Sequence, residues 1–256
     1  MLSNTTYFFL DRLVSNLPVE LRAAYERLLY ASLTTRMYRL FSQFIRPGDL
    51  VFDIGANVGK LTAVFLALGA RVVAVEPQPA CVTVLNRRFG TQPQVTIIPG
   101  GVAEKAGTLP FYISSKTDVI STFSTHFIRH SRYSKRVWDT VIEVPVTTLD
   151  ELIESHGIPA FIKIDTEGFE LNVLKGLTHA IPHLSFEFTR ELKPEYRACI
   201  AQLSTLGHYR YNYSRWQHYR LVSKSPISNR QLLRTIIADK TLFLCGDIYC
   251  DLENGW

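Results

Sequence analysis

The 256-residue chain is poor in cysteine, and its four, Cys81, Cys199, Cys245 and Cys250, follow no regular spacing. That excludes a disulfide scaffold, and none is needed, because a chain of this length buries about three quarters of the surface its unfolded form exposes. Long apolar runs are missing too. The longest, Leu61 to Ala70 (LTAVFLALGA), falls short of the roughly 20 residues that cross a bilayer. The N-terminus, MLSNTTYFFLDRL, lacks the basic lead, long apolar core and small-residue cleavage site of a secretory signal, so a reducing cytoplasm is the expected home. Glycine shows no every-third-residue repeat and 46% of the residues are hydrophobic, which excludes the collagen-like and disordered classes. Charge is not lopsided: 28 Lys+Arg against 23 Asp+Glu leave +5. Basic residues concentrate only in Arg129 to Arg136 (RHSRYSKR), which reads as a solvated basic face.

What is present is alternation. Apolar residues from Leu21 to Phe44 recur at spacings of three and four, which predicts a long amphipathic helix over 18–44, ended by Pro47-Gly48. Residues 1–47 thus read as a helical extension packed on the domain that follows, 48–256, and as a surface through which a homo-oligomer could form. From Asp49, β-rich runs alternate with amphipathic stretches: LVFDIG, a helix after Gly59, RVVAVEP, a helix near 80–89, then QVTIIPG. Near-continuous apolar strands separated by helices predict an α/β fold, a parallel sheet covered on both faces. An insertion at about 108–146 breaks the pattern with two strands, TLPFYI and TVIEVPV, around a Ser/Thr-rich, basic segment near a site. Alternation resumes with a helix at 149–156, strand AFIKID, a helix from about 170 to 177, strand LSFEF and a helix at 195–206. After Gly207, aromatic YRYNY, a polar stretch and FLCGDIY suit an antiparallel pair closing the sheet edge.

The strongest local signal is Asp53-Ile54-Gly55-Ala56-Asn57-Val58-Gly59, where a buried strand ends in a tight glycine turn that opens a helix. A ligand can approach the backbone of Gly55 to Asn57 closely. The spacing is Asp-x-Gly-x-Asn-x-Gly rather than Gly-x-Gly-x-x-Gly. A carboxylate before the first glycine would repel a pyrophosphate and attract a cationic amino group. The next strand ends in Glu76, placed to accept bonds from both hydroxyls of a ribose. A cationic amino acid joined to a nucleoside satisfies both carboxylates, and S-adenosylmethionine is that molecule.

FDIGANVG, AVEP, TTLDEL at Thr147 to Leu152 and above all IKIDTEGFELNVLKG at Ile162 to Gly176 resemble the FkbM family of class I, S-adenosylmethionine-dependent methyltransferases. The resemblance runs from about Asp49 to Glu191. It implies a Rossmann-like fold with a seven-stranded, mostly parallel sheet in the order 3-2-1-4-5-7-6. It also implies methyl transfer to a hydroxyl oxygen of a sugar, glycan or secondary metabolite. By the same resemblance Asp53, Gly55, Ala56, Asn57 and Gly59 shape the methionine side of the donor site and Glu76 holds the ribose. Val102 and Glu104, in Gly101 to Glu104, fall beside adenine.

Lys163 lies inside an apolar strand, where an unpaired ammonium is costly, so it needs a partner. In the class I strand order its strand lies between those of Asp53 and Glu187, and either carboxylate could supply it. Asp165 and Glu167 follow at the carboxyl end of that strand, the edge where ligands bind in open α/β folds, and are the expected catalytic pair. One would accept the acceptor hydroxyl's proton. The alternative is that Asp165 caps the next helix and Thr166-Glu167-Gly168 is only a turn. Asp165, Glu167 and Glu187 could also gather around Mg²⁺, but their spacing does not compel it, and no metal ligands are assigned. The histidines form no zinc pattern; His126 is the first substitute as base.

A dehydrogenase would need glycine where Ala56 and Asn57 stand. An amino-directed nucleic-acid methyltransferase would show an Asn/Asp-Pro-Pro-Tyr/Phe turn where this chain has Asp165-Thr166-Glu167-Gly168, so no nucleic-acid partner is expected. The alternative from another class is a non-catalytic nucleotide- or nucleic-acid-binding protein using Arg129 to Arg136.

Overall fold

The computed structural model describes residues 32–114, 120–216, 218–241 and 244–253. After a helical segment at 32–41 come β1 (Leu50–Ile54), α1 (Lys60–Ala67), β2 (Arg71–Glu76), α2 (Pro79–Phe89), β3 (Val95–Pro99), β4 (Gly101–Val102) and β5 (Gly107–Ile113). There follow α3 (Thr125–His130), β6 (Thr140–Thr147), α4 (Leu149–His156), β7 (Phe161–Ile164), α5 (Glu170–Lys175), β8 (His183–Thr189), α6 (Lys193–Leu206), β9 (Tyr209–Arg215), α7 (Asn229–Ala238) and β10 (Cys245–Leu252).

The main sheet runs β3-β2-β1-β7-β8-β10-β9, parallel except that β10 lies antiparallel between β8 and β9. This is the expected seven-stranded order, with the expected antiparallel pair at the edge. β1 and β7 are buried along their whole length because both faces are covered. Phe52, Ile54, Ile162, Ile164, Leu184 and Phe186 pack on one side, and Val51, Phe161, Val72, Ala74 and Tyr249 on the other. Asp53 and Lys163 interrupt the second set in adjacent register, Asp53↔Lys163, and Lys163 is paired in turn with Ser185. The polar residues of the sheet are therefore gathered on one face, near the carboxyl ends of its central strands.

Helix starts are fixed locally. Thr148 and Glu151 close a capping box on α4, Ser228 and Gln231 another on α7, and Pro79 opens α2 at a position whose missing N–H costs nothing. Helix α7 departs from the sequence expectation of a polar stretch after the aromatic run.

The helical segment 32–41 belongs to the core. Met37, Leu40 and Phe41 are buried, and the Phe41 ring meets Phe65 at 5.0 Å and Phe161 at 5.6 Å. The helix stops at 41, earlier than its apolar period suggests, and Phe44 turns in to stack on Tyr249 at 5.6 Å. Those apolar residues are thus used within the chain. The expected portion over 18–31 lies outside the described residues.

The insertion builds a second sheet, β4-β6-β5, with β4 parallel and β5 antiparallel to β6. Phe111 and Phe123 pack at 4.7 Å behind it, and α3, capped by the Ser124 hydroxyl, sets Phe127 against Tyr133. This unit stands over the carboxyl edge of the main sheet and walls one side of a cavity of about 990 Å³.

Candidate active site

The cavity floor is the turn after β1. Gly55 has φ +82°, and its N–H donates to the Val75 carbonyl at 2.9 Å, tying the turn to β2. A Cβ there would overlap the backbone carbonyl of Asp165, so glycine is required both for the dihedral and for the approach of β7. Asn57 also adopts a left-handed conformation, φ +51°. Its N–H donates to Glu76 Oε2 at 2.7 Å, and the Gln78 N–H donates to Oε1 at 2.8 Å. Each Glu76 oxygen is therefore oriented by one backbone donor and keeps a lone pair for a ligand hydroxyl. Burial pushes the Glu76 carboxyl up to about 7, against the pull of those two donors.

Asp53 is 2% exposed and accepts the Thr62 hydroxyl at 2.6 Å. Burial raises its carboxyl to about 6, while Thr62 and Lys163 oppose the rise. Thr62 sits in α1, nine positions on, and sequence reading missed it because only the strand-turn-helix bend brings the two together.

Opposite stand Asp165, Glu167 and Glu187. Burial raises all three carboxyls, Glu167 and Glu187 well above the usual range, and repulsion between neighbouring acids adds to it. Glu167 has φ +53° and Gly168 φ +85°, so Thr166-Glu167-Gly168 is a left-handed turn, held by the Thr122 hydroxyl donating to the Glu167 carbonyl at 2.8 Å. Asp165 does not cap α5. No side chain caps α5; Glu170, its first residue, instead accepts the N–H groups of Thr166 at 3.0 Å and Gly168 at 3.1 Å in the turn before it. Lys163 Nζ reaches neither Asp53 nor Glu187 as an ion-pair partner; it lies 2.7 Å from Asp247 Oδ1 and 3.0 Å from Asp165 Oδ2. The physical reason is β10, which folds in beside β8 and brings Asp247 into register with Glu187.

Of the expected donor residues, Asp53, Gly55, Ala56, Asn57, Glu76 and Val102 line the cavity. Gly59 caps α1 behind it at φ +77°, where a Cβ would meet the Phe89 and Leu85 side chains. Glu104 does not reach the cavity: β4 ends at Val102, and Glu104 faces solvent 3.6 Å from Lys175. His126 is turned away as well, with Nε2 2.7 Å from Glu195 Oε1. The basic segment is no uniform solvated face. Arg132 makes a two-pronged pair with Glu191, at 2.6 and 2.9 Å, and it lines the cavity with Tyr133 and Arg136.

A 3-2-1-4-5-7-6 sheet whose first strand ends in a left-handed glycine turn and whose second ends in a buried acid defines a class I methyltransferase architecture. Residues 53–213 match the Methyltransferase FkbM domain, and the chain belongs to that family, whose methyl donor is S-adenosylmethionine. The chain is 30% identical over 152 residues to a hexuronic acid methyltransferase, AglP, of Haloferax volcanii, which spans 58% of each protein. A probable ribosomal RNA small subunit methyltransferase A of Methanosarcina mazei is 35% identical over 80 residues, 28% of this chain and 30% of that one. Among solved structures, precorrin-6y C5,15-methyltransferase from Geobacter metallireducens aligns over 87% of each chain with a TM-score of 0.42 and 11% identity. The chain spans 58% of the first of these curated relatives and 30% of the second, less than two thirds of either.

Proposed function

We propose that this protein transfers a methyl group from S-adenosylmethionine to a hydroxyl oxygen of a sugar, with a hexuronic acid within a glycan as the leading acceptor. The observation that carries the reading is one cavity with two buried carboxylates, Asp53 and Glu76, on the donor side and Asp165 and Glu167 on the other. Glu76 accepts the ribose hydroxyls while Asn57 and Gln78 fix its orientation. Asp53 faces the donor's ammonium. Val102 and Pro77 offer apolar surface to the base. Bound there, the donor supplies an electrophilic methyl group on a sulfonium sulfur. Asp165 or Glu167 accepts the proton that the hydroxyl loses as its oxygen attacks.

Arg136, beside the Arg132–Glu191 pair in the cavity wall, supports an anionic acceptor, and Tyr133, Trp216 and Tyr219 supply aromatic surface for a sugar ring. The relative that acts on a hexuronic acid supports the same class. Among the described residues no helix is long and apolar enough to cross a membrane, and all four cysteines are free thiols, which supports a reducing cytoplasm. The test is methyl transfer from labelled donor to uronate-containing glycans, matched neutral glycans and small alcohols. Label in the uronate fraction is expected; a protein that binds donor yet labels no hydroxylated acceptor would overturn the reading.

A further inference from the structure

We propose that Asp165, Glu167 and Glu187 form a site for one hard divalent cation, Mg²⁺ or Mn²⁺, beside the acceptor hydroxyl. The inference rests on the methyltransferase reading for its purpose, but not for its geometry. One carboxylate oxygen from each residue lies within 4.8 Å of the others. They come from the end of β7, from the left-handed turn behind it and from β8. Two segments that are separate in sequence, the stretch just after β7 and strand β8, thus bring three acids together.

An independent observation lies on the same strand face, in the same cavity. Thr189 is 7% exposed, and its hydroxyl has no hydrogen-bond partner among the described residues. It lies two positions after Glu187 on β8, so strand alternation directs both side chains to one face, and both line the cavity. A buried hydroxyl without a partner is destabilising, and a hydrated cation held by Glu187 would supply the missing partner through one of its waters.

Local charge points the same way. Lys163 is shared between Asp165 and Asp247, and Arg132 is held two-pronged by Glu191. The cations that act on Glu167 are thus each engaged by other acids. Asp165 gives Oδ2 to Lys163 and keeps Oδ1 for a further cation. An all-oxygen donor set suits a hard ion, and Mg²⁺ commonly takes a few carboxylates and leaves its other positions to water and substrate. Ligand atoms around such an ion sit about 3 Å apart, so binding would draw the three acids together and remove their repulsion. A hydroxyl on an open position would lose its proton more readily, and that proton passes to solvent or to the free oxygen of Glu167.

The test is Mn²⁺ titration of chelator-treated full-length protein, read by electron paramagnetic resonance, with donor binding measured by calorimetry on the same samples. One Mn²⁺ per chain, displaced by Mg²⁺, is expected. Glu187→Gln should weaken it roughly tenfold or more and Thr189→Val by a smaller factor, while Glu104→Gln, an exposed acid outside the cluster, leaves it unchanged. Circular dichroism establishes that each variant is folded. Equal Mn²⁺ affinity in wild type and Glu187→Gln would overturn the site, as would no binding by a folded protein that still binds donor. Mn²⁺ binding lost in Glu187→Gln, in a protein that binds no donor, would sustain the cation site and count against the methyltransferase reading.

Discussion

Lys163 Nζ lies 2.7 Å from Asp247 Oδ1 and 3.0 Å from Asp165 Oδ2, so one buried ammonium ties the central strand β7 both to the antiparallel strand β10 and to the acid at its own carboxyl end. It is 2% exposed, and burial alone would strip its proton. The two carboxylates reverse that and hold its pKa well above the usual lysine value. Removing the cation strands its partners: Lys163→Met should cost about 3 kcal/mol, the low end for breaking a buried pair, since Asp165 is partly exposed. Urea unfolding at pH 7 measures it. Adding Asp247→Asn should restore part of the loss, and an unaltered stability in the single variant would show that the pair contributes nothing.

Glu76 makes donor binding depend on pH. Its carboxyl, raised by burial to about 7, holds a proton in the folded protein where an ordinary glutamate, near 4.5, has lost it. The folded state binds more protons between those values, so Glu76's contribution to donor-free stability is full below about 4.5 and is lost as the pH rises through about 7. Binding to ribose hydroxyls needs the carboxylate, so affinity should rise with pH up to about 7, by up to tenfold per unit, and then level. In Glu76→Gln the slope should shrink to what Asp53, raised to about 6, contributes at the acid end of the range, and binding should weaken by roughly 1.5–3 kcal/mol per lost bond. Calorimetry from pH 5.5 to 8.5 reads both, and equal slopes in the two proteins would remove Glu76 from the donor site.

Gly55→Ala is expected to separate β1 from β7. The added methyl meets the Asp165 carbonyl, and the left-handed dihedral adds about 1–2 kcal/mol for a residue with a Cβ. Thermal unfolding should shift down and donor binding should be lost together. A variant that keeps both would mean that the turn relaxes freely.

The helical segment at 32–41 is expected to be an integral layer rather than a detachable arm. Phe41 is wholly buried between Phe65 and Phe161, so Phe41→Ala should cost about 3–5 kcal/mol, measured by denaturant unfolding. A loss below about 1 kcal/mol would mean that the segment packs only loosely.

What the sequence made legible was whatever is written in local period or spacing. Apolar runs of β1, β2 and β7, the glycine turn and the acids at strand ends announce themselves within a few residues, and so the parallel sheet and most residues at its carboxyl edge could be read, while the strand order came from the family resemblance. Contacts made by chain return could not. Asp247 becomes the partner of Lys163 only because β10 inserts between β8 and β9, and Thr62 meets Asp53 only through the bend after β1. Glu104 was assigned by its place in a run, but β4 ends at Val102 and turns it outward. Helix α7 is a different case, for its signal was present: Ser228 and Gln231 at capping-box spacing, and Leu232 and Ile236 one turn apart, both buried.

Glu167 offers the cleanest test of the chemistry, because its carboxylate has no hydrogen-bond or ion-pair partner among the described residues, whereas Asp165 also holds Lys163. Its turn is fixed through the backbone, by Thr122 donating to its carbonyl, so Glu167→Gln leaves the local fold in place. With an accepted substrate and Mg²⁺ present, turnover should fall by about 10²–10⁴-fold while donor affinity stays nearly intact. Asp165→Asn should show a similar fall in turnover together with a lower unfolding midpoint, since it weakens the Lys163 pair. A purely structural acid would behave differently, lowering stability and donor binding together and leaving turnover per folded molecule unchanged. Full turnover in both variants would remove the proton-accepting role from this turn. His126 could not then inherit it, because its ring is held by Glu195 outside the cavity. Glu187, which shares the cavity wall, would become the residue to replace next.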